Sequence, residues 1–356
     1  MRVEDTTVST LSYDEAVEYA SKRINTYLLE RVPKFRTLMN LREKGWKSPA
    51  GDAHFAKQRR QADKPTDGQS LFFLGMMGNI ARQIHDATGV FNIRTKDGGM
   101  LTILDMCMAP GAFCHAAMEH NPGARARAFS LPLEKGGHKI LRQNPNVDIE
   151  FIDITMLGED MGVDSTTIPP THPDADEFLP RRFYPEDAFD LAICDGQVLR
   201  THSRAAYRES KEPARLTMTQ LAISLEHMKP GGTMLVLLHK VESWKSVLIL
   251  RTFCKFSDVK TFKPTKAHAT RSSCYMVASN IQPQHEDAIR AVQTWKQLWR
   301  AATFDTESEF ASLAESLEPD VEEVLEDFGM RLVGLGKKIW ETQARALSNA
   351  SFVRDA

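Results

Sequence analysis

The sequence predicts an α/β protein, a mostly parallel sheet covered by helices on both faces. Two observations lead there. From residue 70 to residue 256 short apolar runs alternate with stretches of helical spacing. Three of those runs close on an aspartate, Asp105, Asp153 and Asp195. In an open parallel sheet the carboxyl ends of the strands face the ligand crevice, so acids placed there imply a pocket for a nucleotide-like molecule.

Taken in order, the chain opens with apolar positions at helical spacing between residues 12 and 44 (Ala16, Tyr19, Ala20, Ile24, Tyr27, Leu28), with Ser12 and Glu15 suited to a capping box. Between Lys34 and Lys64 nine basic residues, Lys57 and Lys64 among them, face three acidic ones, and Phe35, Trp46 and Phe55 are interleaved. Such a run suits a phosphate backbone and its bases, or equally a solvated surface. Residues 1–68 are read as a helical arm carrying this basic segment.

A helix over 70–88 (Leu71, Leu74, Met77, Ile80, Ala81, Ile84) then leads to the strand ending at Asp105, and a further helix follows the Pro110-Gly111 break. Strand-like runs recur at 126–131, 148–153, 189–195, 232–238, 258–262 and 274–278, with helices over 215–228 and 243–256. The last two runs are too close for an intervening helix and predict a terminal antiparallel hairpin. Residues 69–281 therefore form the sheet domain, interrupted by a Pro-, Asp- and Thr-rich insertion at 157–187 that suits a lid or a partner contact. Residues 282–356 read as a helical extension. Between Asp305 and Asp327 it carries ten carboxylates and no Lys or Arg, which would repel RNA and favours packing on the fold or a basic protein partner.

Composition narrows the class. With 356 residues, 42% hydrophobic and 26% charged, one large core is affordable, and a net charge of −2 leaves no global basic signature. The five cysteines include no C-x-x-C pair, so reduced thiols and no metal centre are expected. No apolar run of about 18 residues and no leader-like start occur, so no membrane span is expected and the location reads as intracellular, cytoplasmic or nuclear.

The segment Leu101-Thr-Ile-Leu-Asp-Met-Cys-Met-Ala-Pro-Gly-Ala-Phe113 matches neither a dinucleotide fingerprint nor a P-loop. Its order Asp-x-x-x-x-Pro-Gly-x-Phe resembles the S-adenosylmethionine loop of FtsJ-like RNA ribose methyltransferases, including the cap-methylating branch. Phe189-Asp-Leu-Ala-Ile-Cys-Asp-Gly196 is similar to that family's D-L-V-x-x-D-G motif. Lys263-Pro264 with Arg271-Ser-Ser-Cys-Tyr275 looks like its closing segment. The resemblance spans roughly 70–280 and implies the Rossmann-like seven-stranded methyltransferase sheet.

It also implies S-adenosylmethionine as cofactor. Asp105, Cys107, Ala109, Pro110, Gly111, Ala112 and Phe113 would form the loop around its amino-acid end, and Asp153 with Ile154 would meet the adenine. Asp195 would project over the methyl group. Alternatives stand beside these readings: a helix cap for Asp153, a turn former for Asp195, and for Gly111 a positive φ as well as close approach. Where many methyltransferases place a ribose-binding acid, this chain has Ser130 and Leu131.

The family's Lys-Asp-Lys-Glu tetrad is matched only at Asp195. Its second lysine falls on Leu237, its glutamate on Ser273 and its first lysine near Gly75. Lys240, His239 beside it, and Lys57 or Lys64 from the arm are the candidate replacements. Lys240 serves only if its strand ends early, because three residues along a strand reverse the facing direction. The favoured activity is RNA ribose 2′-hydroxyl methylation. The alternatives are a catalytically silent RNA- or protein-binding relative, and a methyltransferase acting on a small molecule or a protein.

Overall fold

The computed structural model describes residues 13–63, 65–93 and 98–354, so Ser12 and Lys64 lie outside the described residues. Seven strands form one sheet in the order β3-β2-β1-β4-β5-β7-β6. They are β1 (Thr102–Asp105), β2 (Arg125–Ser130), β3 (Val147–Phe151), β4 (Phe189–Cys194), β5 (Met228–Leu238), β6 (Asp258–Phe262) and β7 (Cys274–Ser279). Strands β1 to β5 pair in parallel, whereas β7 runs antiparallel between β5 and β6, as the spacing of the last two runs predicts.

Side chains alternate across the sheet with a period of two, and both faces are apolar. Ile103, Leu191, Ile193, Leu235, Tyr275 and Val277 face one way, into a core shared with α4 (Asp67–Thr88) and α5 (Ala112–His120). Leu104, Ala192, Cys194, Met234, Val236 and Met276 face the other way. There α6 (Glu212–Glu226) and α7 (Trp244–Phe253) cover them, and the terminal helices close over both. All six residues of β4 are buried, as befits the middle of the sheet.

The arm consists of α1 (Tyr13–Arg31), α2 (Pro33–Lys47) and α3 (Pro49–Asp63). The single helical stretch expected between 12 and 44 breaks at Val32, because Pro33 supplies no N–H and occupies the first turn of a new helix. The extension consists of α8 (Glu286–Phe304), α9 (Glu307–Leu317), α10 (Val321–Ser348) and α11 (Ser351–Arg354). Its acidic stretch packs on the fold: Glu318 accepts from Tyr13 Oη and Trp244 Nε1, and Asp327 and Glu322 pair with Arg251 and Arg23.

The insertion is pinned rather than free. Asp160 accepts the backbone N–H groups of Arg182 and Phe183, and His172 and Phe178 pack against Phe304 of α8. The segment read as a lid or a partner contact thus packs against α8.

One buried node joins arm, sheet and extension. Arg42 of α2 donates to Glu242 beyond β5 at 2.5 Å and to Gln343 of α10 at 2.6 Å, and Trp340 Nε1 donates to Glu242 at 3.0 Å. Burial alone would raise the Glu242 acid, but the Arg42 charge and these hydrogen bonds reverse that and hold its carboxyl below the usual range. Removing Arg42 leaves the buried Glu242 carboxylate with only the Trp340 N–H and the more distant Lys240, so Arg42→Ala is expected to lose about 3 to 5 kcal/mol in urea unfolding. A loss within about 0.5 kcal/mol would show that the node is not structural.

Candidate functional site

Strands β1 and β4 are neighbours, and the sheet order reverses between them. This is the switch point at which open α/β sheets bind ligands. A cavity of about 1030 Å³ opens there, at the carboxyl ends of the strands. Asp105, Cys107, Met108, Ala109, Pro110, Ala112 and Phe113 line it from the loop after β1, and Ser130 and Leu131 from the end of β2. Ile152, Asp153 and Ile154 follow β3, and Asp195 and Gly196 follow β4.

Asp105 is 1% exposed, and its Oδ1 accepts the Cys107 N–H at 3.1 Å. Burial first, and then the neighbouring Asp195 charge, raise its pKa well above the ordinary carboxylate value. Burial likewise lifts Asp195 to about 7. No Lys, Arg or His among the described residues pairs with either carboxylate within 4.0 Å. Burial and the same two acids push the Cys107 thiol up, which keeps it protonated and un-nucleophilic. The Tyr275 phenol is raised by burial and by Asp195, so it stands beside the site as a neutral hydroxyl.

Two glycines let the loops close. At Gly111 φ is +102°, and a Cβ there would come within 3.1 Å of the Arg142 carbonyl. At Gly196 a Cβ would overlap Cys107 Sγ, so the tip of β4 can touch the β1 loop only without a side chain. Gly196 N–H donates to Gln220 Oε1 at 3.0 Å, which holds that tip.

Asp153 lines the cavity and also caps the turn over Ile154–Met156. Its Oδ1 accepts from Thr155 Oγ1 at 2.7 Å, and its Oδ2 lies 3.2 Å from Arg208 Nη1. Arg208 and Arg215 share Glu212 beneath it, and Arg215 Nε donates to Thr303 of α8 at 3.0 Å.

Three candidate catalytic residues, Lys240, His239 and Lys57, are not part of the cavity lining. Strand β5 ends at Leu238, and Lys240 turns to the opposite face of the sheet, 3.9 Å from Glu242. His239 is exposed at the strand end, and Lys57 lies on the exposed side of α3. Position 237, two residues before the strand-end His239, does reach the cavity, but it carries Leu; Ser273 lines the wall as well. Among the described residues, Asp195 is thus the one candidate catalytic residue at the cavity. Arg42, counted in the basic segment, is buried in the node.

The opposite wall went unread in the sequence. His54 and Gln58 of α3, Phe72, Phe73 and Met76 of α4, His268 and Arg271 before β7, and Phe352 of α11 all line the cavity. Arg271 stands in a quoted motif, whereas His54 is hidden among the charges of the arm.

The sequence matches the family described as FtsJ-like methyltransferase over residues 82–281. No curated protein matches it. Solved structures resemble it weakly. Human N-acetylserotonin methyltransferase in complex with SAM is 14% identical, with 72% of this chain and 69% of that one covered and a TM-score of 0.33. The N-methyltransferase NodS from Bradyrhizobium japonicum in complex with S-adenosyl-l-homocysteine is 12% identical, with 69% and 99% covered and a TM-score of 0.34. An rRNA methylase from Streptococcus thermophilus is 10% identical, with 51% and 88% covered and a TM-score of 0.29.

A carboxyl raised to about 7 in the folded chain, against about 3.9 unfolded, binds its proton more tightly when folded. Its stabilising contribution is complete below about pH 4 and is lost as pH rises through about 7. Thermal midpoints of the ligand-free protein from pH 5 to 8 are expected to fall less steeply in Asp195→Asn than in wild type. Parallel curves would refute the burial account of this acid.

Proposed function

Since this chain belongs to the FtsJ-like methyltransferase family, an S-adenosylmethionine-dependent class, we propose that it methylates a ribose 2′-hydroxyl of RNA. The observation that carries the reading is the pair Asp105 and Asp195, in one cavity at the switch point, with no basic side chain among the described residues paired to neutralise them. That pair fits the donor. Two acids raised by burial favour a ligand that brings positive charge, and S-adenosylmethionine carries a sulfonium and an ammonium.

When bound, S-adenosylmethionine supplies a methyl group on a sulfonium whose leaving group is a neutral thioether. The protein's part is positioning and proton removal. Asp105 holds the positive end, and the backbone of Ala109 to Phe113, closed by Gly111, wraps it. Ser130, Leu131, Asp153 and Ile154 form the nucleoside end, where Arg208 and Thr155 fix the Asp153 carboxylate.

Asp195 faces the acceptor. The lysines of the described cavity lining are Lys139 and Lys266, and neither pairs with Asp195. As the acceptor oxygen forms its bond to the methyl carbon, its proton therefore goes to the Asp195 carboxylate. A cationic ligand stabilises the ionised form of Asp195 and so prepares it to accept that proton.

A second reading has its own observation. Leu237 and Ser273 line the cavity where the family tetrad carries lysine and glutamate, an arrangement that suits a silent relative binding RNA. The two readings part in one assay. With labelled S-adenosylmethionine and total RNA, wild type is expected to transfer label to alkali-resistant dinucleotides, and Asp195→Ala to lose about 10²-fold or more. Donor binding without transfer to any RNA would select the silent reading.

Calorimetry offers an independent check. Because donor binding ionises the acid pair, affinity is expected to rise between pH 6 and 8 with release of protons to the buffer. A pH-independent affinity would contradict the role given to Asp105 and Asp195.

A further inference from the structure

The cavity lining carries both signs of charge. It includes Asp105, Asp153 and Asp195, and it also includes Arg271, with Lys266 and His268 in the same loop. That loop, residues 263–273, is rigidly held. Lys263, 4% exposed, donates from Nζ to the carbonyl oxygens of His268, Arg271 and Ser273 at 2.9, 2.5 and 2.6 Å. Gln343 Nε2 donates to the Thr270 carbonyl at 3.1 Å from the other side.

The Arg271 side chain is oriented as well. Its Nε and Nη2 both donate to Gln58 Oε1, at 3.2 and 2.9 Å. An arginine has no acceptor, so the Gln58 oxygen must face it and the amide nitrogen must face His54 Nε2, 2.9 Å away. His54 Nε2 is then the acceptor, and the imidazole proton resides on Nδ1. Two residues of α3 thus hold the guanidinium of a distant segment against the cavity wall.

What this guanidinium lacks is a counter-ion. No carboxylate among the described residues lies within 4.0 Å of it. Its neighbour Gln58 is neutral, and two of its five N–H donors account for both hydrogen bonds. Burial lowers its pKa, as expected of a cation held away from water without a partner. A planar fork with unused donors suits an oxyanion bound bidentately. Phe72 and Phe73, 74% and 39% exposed, line the same cavity and offer stacking faces. An anion beside stacking rings is the chemistry of a nucleotide.

We propose that Arg271, oriented by Gln58 and supported by Lys266, is a phosphate subsite that holds a backbone phosphate of the acceptor strand. The proposal rests on RNA being the acceptor. It makes Arg271 a positioning residue that sets the acceptor sugar relative to Asp195, and it places the strand between the guanidinium and the two phenylalanines.

The test is fluorescence anisotropy on the full chain with a labelled mixed-sequence single-stranded RNA across a salt series. A methylphosphonate strand of the same sequence serves as the neutral control. S-adenosylhomocysteine calorimetry and thermal midpoints serve as fold controls. Arg271→Gln is expected to weaken RNA binding about tenfold and to lower the salt slope by about 1, with donor-product binding unchanged. Arg271→Lys is expected to keep the slope and lose part of the affinity. Gln58→Leu, which releases the guanidinium without removing it, is expected to cost several-fold, and it decides the matter if Arg271→Gln does not fold.

An unchanged salt slope in Arg271→Gln, or equal losses on the neutral strand, overturns the subsite while RNA binding by wild type stands. If wild type binds S-adenosylhomocysteine but neither strand, the RNA reading fails and the subsite with it.

Discussion

Two carboxyl groups buried side by side cannot both ionise without a cation, and the architecture around Asp105 and Asp195 follows from that constraint. Parallel pairing of β1 with β4 brings their tips together. Gly196, which leaves no side chain to hold the β4 tip away from Cys107, lets the loops touch. The resulting acids are held in high-energy readiness, and among the described residues no basic group pairs with them to quench it. A positively charged ligand resolves the tension. Under the proposed function, binding specificity and catalytic preparation come from one electrostatic deficit.

The node around Arg42 does the opposite. There a buried acid has every partner it needs, from α2, α10 and its own strand end. Gln343 passes that rigidity to Thr270, and Lys263 ties the same loop from beneath. The cavity therefore has one wall left electrostatically open and one wall braced by hydrogen bonds. Lys240 is drawn toward this node by Glu242, which is why a lysine so near the tip of β5 does not face the cavity.

Much of this was legible in the sequence because it is local. Period-two apolar runs closing on acids mark the strand tips, and the short gap before β7 marks the antiparallel end. The candidate cofactor residues follow from the same tips, and all of them except Gly111 line the cavity, Gly111 instead shaping its loop. What was not legible depends on contacts far apart in the chain. Whether Lys240 faces the site depends on a glutamate and an arginine 200 residues apart in sequence. The basic segment divides likewise: Lys34, Lys44 and Lys57 remain exposed, whereas Arg42 is interior. His54 and Gln58 line the cavity beside Phe352 of α11, whose ring stacks on His54 at 4.8 Å.

The buried arginines set the limits of the autonomous folding unit. The family match ends at 281, yet Arg215 relies on Thr303, and the Glu242 acid relies on Arg42 and Trp340, all three beyond the matched span. Cutting the chain at the family's boundaries would strand a guanidinium under Asp153 and an acid behind the 263–273 loop. In this protein, then, the flanking helices are not accessories to a self-sufficient catalytic core. They complete its interior charge balance, and a shortened version trimmed to the shared segment would lose shape on both sides of the pocket at once.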